Sequence, residues 1–173
     1  RTPHAHASQH TAKVMKLVLW DNIPGLIALT IHFGWGSLIN LVLATVTAVI
    51  AEALIIKLRG RPVAFYLKDY SAVLTAVLLG LALPPLAPWW VVVVGTLFSI
   101  VIAKQLYGGL GYNPFNPAMV GYVVLLISFP IQMTTWVTPA ALLPEGISHP
   151  GLIESLQIVF SGLNPADGVT GAT

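Results

Sequence analysis

The sequence predicts an all-α membrane protein: a polytopic helical bundle with five transmembrane spans, the N-terminus inside and the C-terminal tail outside. Three observations carry that prediction. Only 8% of the 173 residues are charged and 56% are hydrophobic, whereas a soluble domain carries about 25% charged residues. The apolar residues come in blocks, most of them near the roughly 17–25 residues that cross a hydrocarbon core. The eight Lys and Arg gather at alternate ends of those blocks.

Span one covers 14–33, and Asp21-Asn22 and Pro24-Gly25 interrupt it, so a kinked or irregular helix is expected. Span two, 38–57, is the cleanest and is broken only by Glu52. Span three, 70–83, is short and is stopped by Pro84-Pro85. Span four, 89–106, opens on Trp89-Trp90, a pair suited to a membrane interface. Span five, 117–136, starts at Pro117, a favourable first-turn residue.

With these spans, Arg1, Lys13, Lys16, Lys57, Arg59, Arg61, Lys68 and Lys104 all fall on one side. The opposite loops, 34–37 and 84–88, carry no charge, and the tail 137–173 has Glu145, Glu154 and Asp167 but no Lys or Arg. The positive-inside rule then gives a cytoplasmic segment 1–13, a bundle 14–136 and a periplasmic segment 137–173 in a bacterial inner membrane. The tail is rich in Pro and Gly. One stretch, 151–161, has apolar residues at 152, 153, 156, 159 and 160, as an amphipathic helix on the membrane or the bundle would. The start at Arg1 without Met and the abrupt end at Thr173 predict a fragment of a longer chain.

The composition also excludes chemistry. With no cysteine, a disulfide framework, a thiolate zinc site and a Cys-ligated iron–sulfur cluster are ruled out. Electron transfer would need an organic cofactor or a partner's metal. The basic residues read as topology signals beside apolar blocks and imply no nucleic acid.

Four segments could carry chemistry. The run from Tyr107 to Ala118 holds three Gly and two Pro and cannot continue a helix. It reads either as a structured loop with Asn113 and Asn116 as caps, or as a backbone-rich pocket for a planar ligand. The run Lys68 to Thr75 reads either as a helix start capped by Asp69, or as half of a broken-helix pair with Ser71 and Thr75 facing inward. Among ionisable residues in the spans, Asp21 is a candidate for an ion path. Glu52 would reach the interface or pair with a cation, and His32 is an interfacial residue. His4, His6 and His10 sit in a flexible polar start rather than a metal site. The last segment, Asp167 to Thr173, is a polar turn around Asp167-Gly168, with two Thr hydroxyls open to modification.

Three of these stretches carry a resemblance: Lys68-Asp-Tyr-Ser-Ala-Val-Leu-Thr75, Pro84-Pro-Leu-Ala-Pro-Trp-Trp90 and Tyr107-Gly-Gly-Leu-Gly-Tyr-Asn-Pro-Phe-Asn-Pro-Ala-Met119. Together they resemble the D-subunit family of the Rnf/Rsx electron transport complexes. The B subunit of the sodium-pumping NADH:quinone oxidoreductase is a more distant relative. The resemblance covers the whole chain and implies the N-terminal half of a family member. It implies an FMN joined through its phosphate to the Thr173 hydroxyl, within a motif that Asp167, Gly168, Thr170, Ala172 and Thr173 match. It also implies a riboflavin near Asn113 and Asn116. The implied activity is that of a flavoprotein subunit of an ion-translocating ferredoxin:NAD oxidoreductase, coupled to Na+ or H+. Its implied partners are the bilayer and the other membrane and peripheral subunits, iron–sulfur and flavin subunits among them. A solute channel or secondary transporter with a broken-helix site, and a passive scaffold, are the competing readings of the same residues.

Overall fold

A computed structural model of the chain describes residues 3–64, 70–105, 116–166 and 168–172. Helix α1, Pro3–Asp21, starts where a proline suits a first turn. The N-terminal segment is therefore helical rather than a flexible start, consistent with its Ala, Gln and Lys content. The expected irregularity in span one is a break at Asn22. Its amide N donates to Leu19 O at 3.2 Å and its Nδ2 donates to Val18 O at 2.8 Å. Helix α2, Ile23–Phe33, then restarts with Pro24 in its first turn.

Helix α3, Gly36–Leu58, is a continuous 23-residue helix with a mean hydropathy of 2.3. It and Ala12–Phe33 are the two stretches among the described residues that are long and apolar enough to cross a membrane. One face of α3 buries Ala44, Ala48 and Ala51, while Val42, Val46, Ile50, Leu54 and Leu58 line its exposed face at four-residue spacing. The small residues let α4, Ser71–Ala82, approach closely with Ala72 and Ala76. A Cβ on Gly80 would sit 3.0 Å from the Leu41 Cα. The 12 residues of α4 span about 18 Å at 1.5 Å each, less than the roughly 30 Å of a hydrocarbon core. Pro84-Pro85 end it as expected, and Leu86 turns the chain with φ of 64°.

Helix α5, Trp89–Leu97, runs into a wider π-helical segment, Phe98–Gln105. Helix α6, Pro117–Ser128, is capped by Asn116, whose side chain accepts from Ala118 N at 2.9 Å. Span five is not one helix to residue 136. Pro130 brings no N–H and biases Phe129 away from helical backbone, so α6 stops after 12 residues. A single turn, α7, Pro130–Thr134, follows.

The all-α expectation needs a second correction. Thr135–Val137 forms β1, which pairs antiparallel with β2, Thr170–Ala172, in the register Thr135↔Ala172, Trp136↔Gly171 and Val137↔Thr170. A Thr-Trp-Val run has strand propensity, and at three residues it is too short to show as a period. Between the strands lie a 3₁₀ turn, Ala140–Leu142, and the expected tail helix, α8, Leu152–Ser161.

Two apolar clusters hold these parts. The bundle core joins α3, α4, α5 and α6 through Ala48, Ala76, Leu79, Val92 and Leu125, among others. The second cluster joins Ile39 and Leu86 to Val137, Ile158, Val159 and Val169. It fastens the ribbon and α8 to the end of the bundle where α4 terminates. At the other end of α4, the Lys16 ammonium lies 5.0 Å from the centroid of the Tyr70 ring.

Candidate functional site

Two polar arrangements stand out against the apolar bundle, one at each end of α4. At its start, the Lys104 ammonium, from the π-helical segment, donates to Glu52 Oε1 on α3 and to Ser71 Oγ on α4. Glu52 and Lys104 are 2% and 3% exposed, so this is an internal ion pair. Burying either charge alone would be costly, and pairing plus a hydroxyl ligand makes the burial tolerable. Thr75, one turn on, donates to Ser71 O at 2.9 Å. Both hydroxyls therefore face inward, as the broken-helix reading of this segment expects. The π-helical geometry sets where the Lys104 stem leaves the helix, and such wide turns recur at functional sites.

From the sequence alone, Lys104 is a topology signal and Glu52 stands between the interface and a cation partner. The structure selects the partner, and it takes Lys104 out of the solvent-facing set. The signal was present in the residue types: one acid inside span two and one base near the end of span four, in helices otherwise nearly free of charge, are each other's cheapest neutraliser.

At the far end of α4, Asn40 Nδ2 donates to Pro84 O at 2.9 Å. A Cβ on Gly36 would lie 2.5 Å from Leu86 N, so this corner is closely packed. Beside it the ribbon presents the motif segment. Gly168 has φ of +88°, and a Cβ there would meet Ile147 and Pro144 at 3.2 and 3.3 Å. Thr138 holds the turn twice, through N to Val169 O at 2.7 Å and Oγ1 to Gly168 O at 3.0 Å. His149 Nε2 lies 2.7 Å from Thr138 O. A carbonyl only accepts, so Nε2 carries the proton of this bond. Trp136 packs edge-to-face on Phe33, with centroids 6.1 Å apart.

Of the sequence candidates, Thr170 lies on β2 opposite Val137, and Gly168 forms the turn before it. Asn116 is a helix cap. Asp21 and His32 are exposed and are not drawn into either arrangement. Asp167, Thr173, Asn113 and Asp69 lie outside the described residues, while Tyr70 occupies the N-cap position of α4. The Thr138 clamp, the Trp136–Phe33 pair and His149 had no sequence signal, because each depends on the ribbon.

Long apolar helices, seams of Ala and Gly, and charges neutralised inside the bundle define a helical membrane protein. The chain belongs to the NQR2, RnfD, RnfE family, whose model matches residues 1–173. It is 58% identical over 172 residues to the D subunit of the ion-translocating oxidoreductase complex of Alcanivorax borkumensis, covering 99% of this chain and 48% of that protein. It is 53% identical over 167 residues to the protein of the same name from Escherichia coli, covering 96% and 47%. The chain thus spans about half the length of these curated relatives.

Proposed function

We propose that the full-length protein is the flavin-carrying membrane subunit of an Rnf-type complex. In this reading it passes electrons between ferredoxin and NAD chemistry held by partner subunits and couples them to Na+ or H+ movement. The bundle crosses the inner membrane five times, with the Lys16–Tyr70 end cytoplasmic and the ribbon end periplasmic. FMN is esterified to Thr173, and a riboflavin sits near Asn113 and Asn116.

The observation that carries this reading is the separation of the two ends. The motif segment 168–172 is held on a ribbon at one end of α4, and the Lys104–Glu52 pair lies at the other. The residues fit a tethered flavin. A phosphoester needs a hydroxyl open to a flavin phosphate, and Thr138 clamps Gly168 and Val169 in the segment that leads to it. Bound there, a flavin supplies one-electron transfer, which the protein positions and tunes. The chain's own part is to hold the strand, exclude the motif from the bundle core and keep the internal charges paired. Among the described residues, four apolar helices of 10–17 residues, three of them in the bundle, are compatible with short or tilted crossings.

Purified full-length protein tests this. The peptide containing Thr173 should carry the mass of FMN less water, and a flavin-fluorescent band on a denaturing gel should vanish in Thr173→Ala. An unmodified peptide from an active complex would reject the flavin reading and leave the transporter reading standing.

A further inference from the structure

We infer that the groove between α3 and α8 is a lipid site, holding one acyl chain of a zwitterionic phospholipid from the leaflet at the ribbon end.

Two ridges of four-residue spacing build the groove. Leu38, Val42 and Val46 form one wall on α3, and Leu152, Leu156 and Phe160 form the other on α8. The space between them is 330 Å³, and every residue lining it is apolar. That volume falls within the about 300–1,000 Å³ of ligand pockets, but the few polar groups that orient an ordinary ligand are missing. A hydrocarbon chain needs none, and it strands no polar atom there.

The groove opens onto the lipid-facing side of the bundle. On α3 its ridge runs on as Ile50, Leu54 and Leu58, each more than half exposed, along a helix apolar enough to cross a membrane. On α8 only one edge of the apolar face meets the bundle, through Ser155, Ile158 and Val159. Leu152, Ile153, Leu156 and Phe160 stay exposed, while Glu154, Gln157 and Ser161 make the opposite, polar face. A helix so patterned lies in the membrane interface, its polar face in water and its apolar rim in hydrocarbon. The tryptophans mark the same level. Trp35 is the N-cap of α3, Trp89-Trp90 open α5 and Trp136 lies on β1, so four of the five Trp gather at this end. An acyl chain entering here packs against two walls, a dispersion gain that a chain lying on α3 alone lacks.

Charge selects the headgroup. Segment 137–173 has no Lys or Arg, and its Glu145 and Glu154 are exposed. The resulting negative field repels an anionic headgroup and tolerates a zwitterion that brings its own ammonium.

The test uses the full-length protein in vesicles of zwitterionic phospholipid. These carry a trace of phospholipid with a photoactivatable acyl chain and either a zwitterionic or an anionic headgroup. Peptide mass after illumination maps the label. The zwitterionic probe should label 38–46 and 152–160 several-fold more than Ile50 and Leu54, and the anionic probe should show a smaller excess. Val42→Trp with Leu156→Trp fills the groove and should abolish the excess while Ile50 and Leu54 label as before. An unchanged melting temperature verifies the fold of that variant, and the wild-type pattern decides by itself if it does not fold. Even labelling along the whole α3 ridge means ordinary bilayer contact and overturns the site. Labelling absent from 38–46 and 152–160 means that a protein segment covers the groove, and overturns it too. An excess as large with the anionic probe overturns the headgroup assignment.

Discussion

Lys104 neutralises Glu52 inside the bundle, across 52 residues of sequence and between two different helical segments. The same ammonium reaches Ser71, so one positive charge ties together α3, α4 and the π-helical segment. Removing either member takes this neutralising contact from the other's buried charge. Lys104→Met should destabilise the full-length protein by about 3–5 kcal/mol, whereas Glu52→Leu combined with Lys104→Met should recover most of that loss. Thermal unfolding in detergent measures both, and additive effects of the two substitutions would refute the coupling.

The crossing of α6 over the π-helical segment depends on a missing side chain. A Cβ on Gly121 would lie 1.9 Å from Ser99 Oγ and 2.8 Å from Gly95 O. Ser99 Oγ is itself held there by donating to Gly95 O at 2.9 Å. Gly121→Ala should therefore cost about 1–3 kcal/mol through overpacking. Adding Ser99→Ala removes the hydroxyl clash but leaves the carbonyl one, so the double variant should recover only part of the loss. Full recovery, read from the same melting curves, would show that the backbone contact does not matter.

Much of this arrangement could be read from the residues before the structure. Span two, the short span three and the tail helix fall within two residues of α3, α4 and α8, because apolar blocks bounded by Gly, Pro and charge are local signals. The break in span one was visible in Asn22 and Pro24. The expected span 117–136 runs past Pro130, whose missing N–H outweighs the hydropathy of its neighbours and ends the helix at Ser128. The ribbon is invisible in the sequence: its strands are three residues long with 32 residues between them, and Val137 and Val169 meet in a cluster with α8 that no local pattern shows. The Glu52–Lys104 pair was half legible, its chemistry readable but its geometry not. Motif residues 168 and 170 were identified from resemblance, while the clamp that holds them was not.

Asn40 is the polar pin of the corner between α4 and α5. Its Nδ2 bonds to Pro84 O, which also accepts from Ala87 N at 3.2 Å. Its Oδ1 and Ser37 Oγ are buried without a partner among the described residues. Asn40→Leu removes a donor but leaves Pro84 O satisfied, and it also removes a buried acceptor that has no donor. It should cost no more than about 1 kcal/mol. Asn40→Asp sets a carboxylate against the same carbonyl and should cost clearly more. Hydrogen exchange at Ala87 should rise in the Asp variant and change little in the Leu variant. The reverse order would mean that Asn40 acts by volume alone.

The turn that presents the motif should be the easiest part of the structure to open. A two-stranded ribbon is marginal by itself, and this one is locked by the Gly168 turn and the Thr138 clamp. Gly168→Ala places a side chain at φ of +88° and within 3.3 Å of both Ile147 and Pro144. An L-residue in left-handed backbone costs about 1–2 kcal/mol before any clash. Thr138→Val keeps the shape and the Thr138 N–Val169 O bond but loses the hydroxyl bond, worth about 1 kcal/mol. Hydrogen exchange at the Thr138 amide should therefore accelerate in both variants, more in Gly168→Ala. If attachment needs the motif held in this geometry, the fraction of Thr173 peptide bearing FMN should fall in the same order. Unchanged protection at Thr138 in Gly168→Ala would show that the ribbon does not depend on the turn. Faster exchange with undiminished FMN would show instead that the flavin is attached before the ribbon closes.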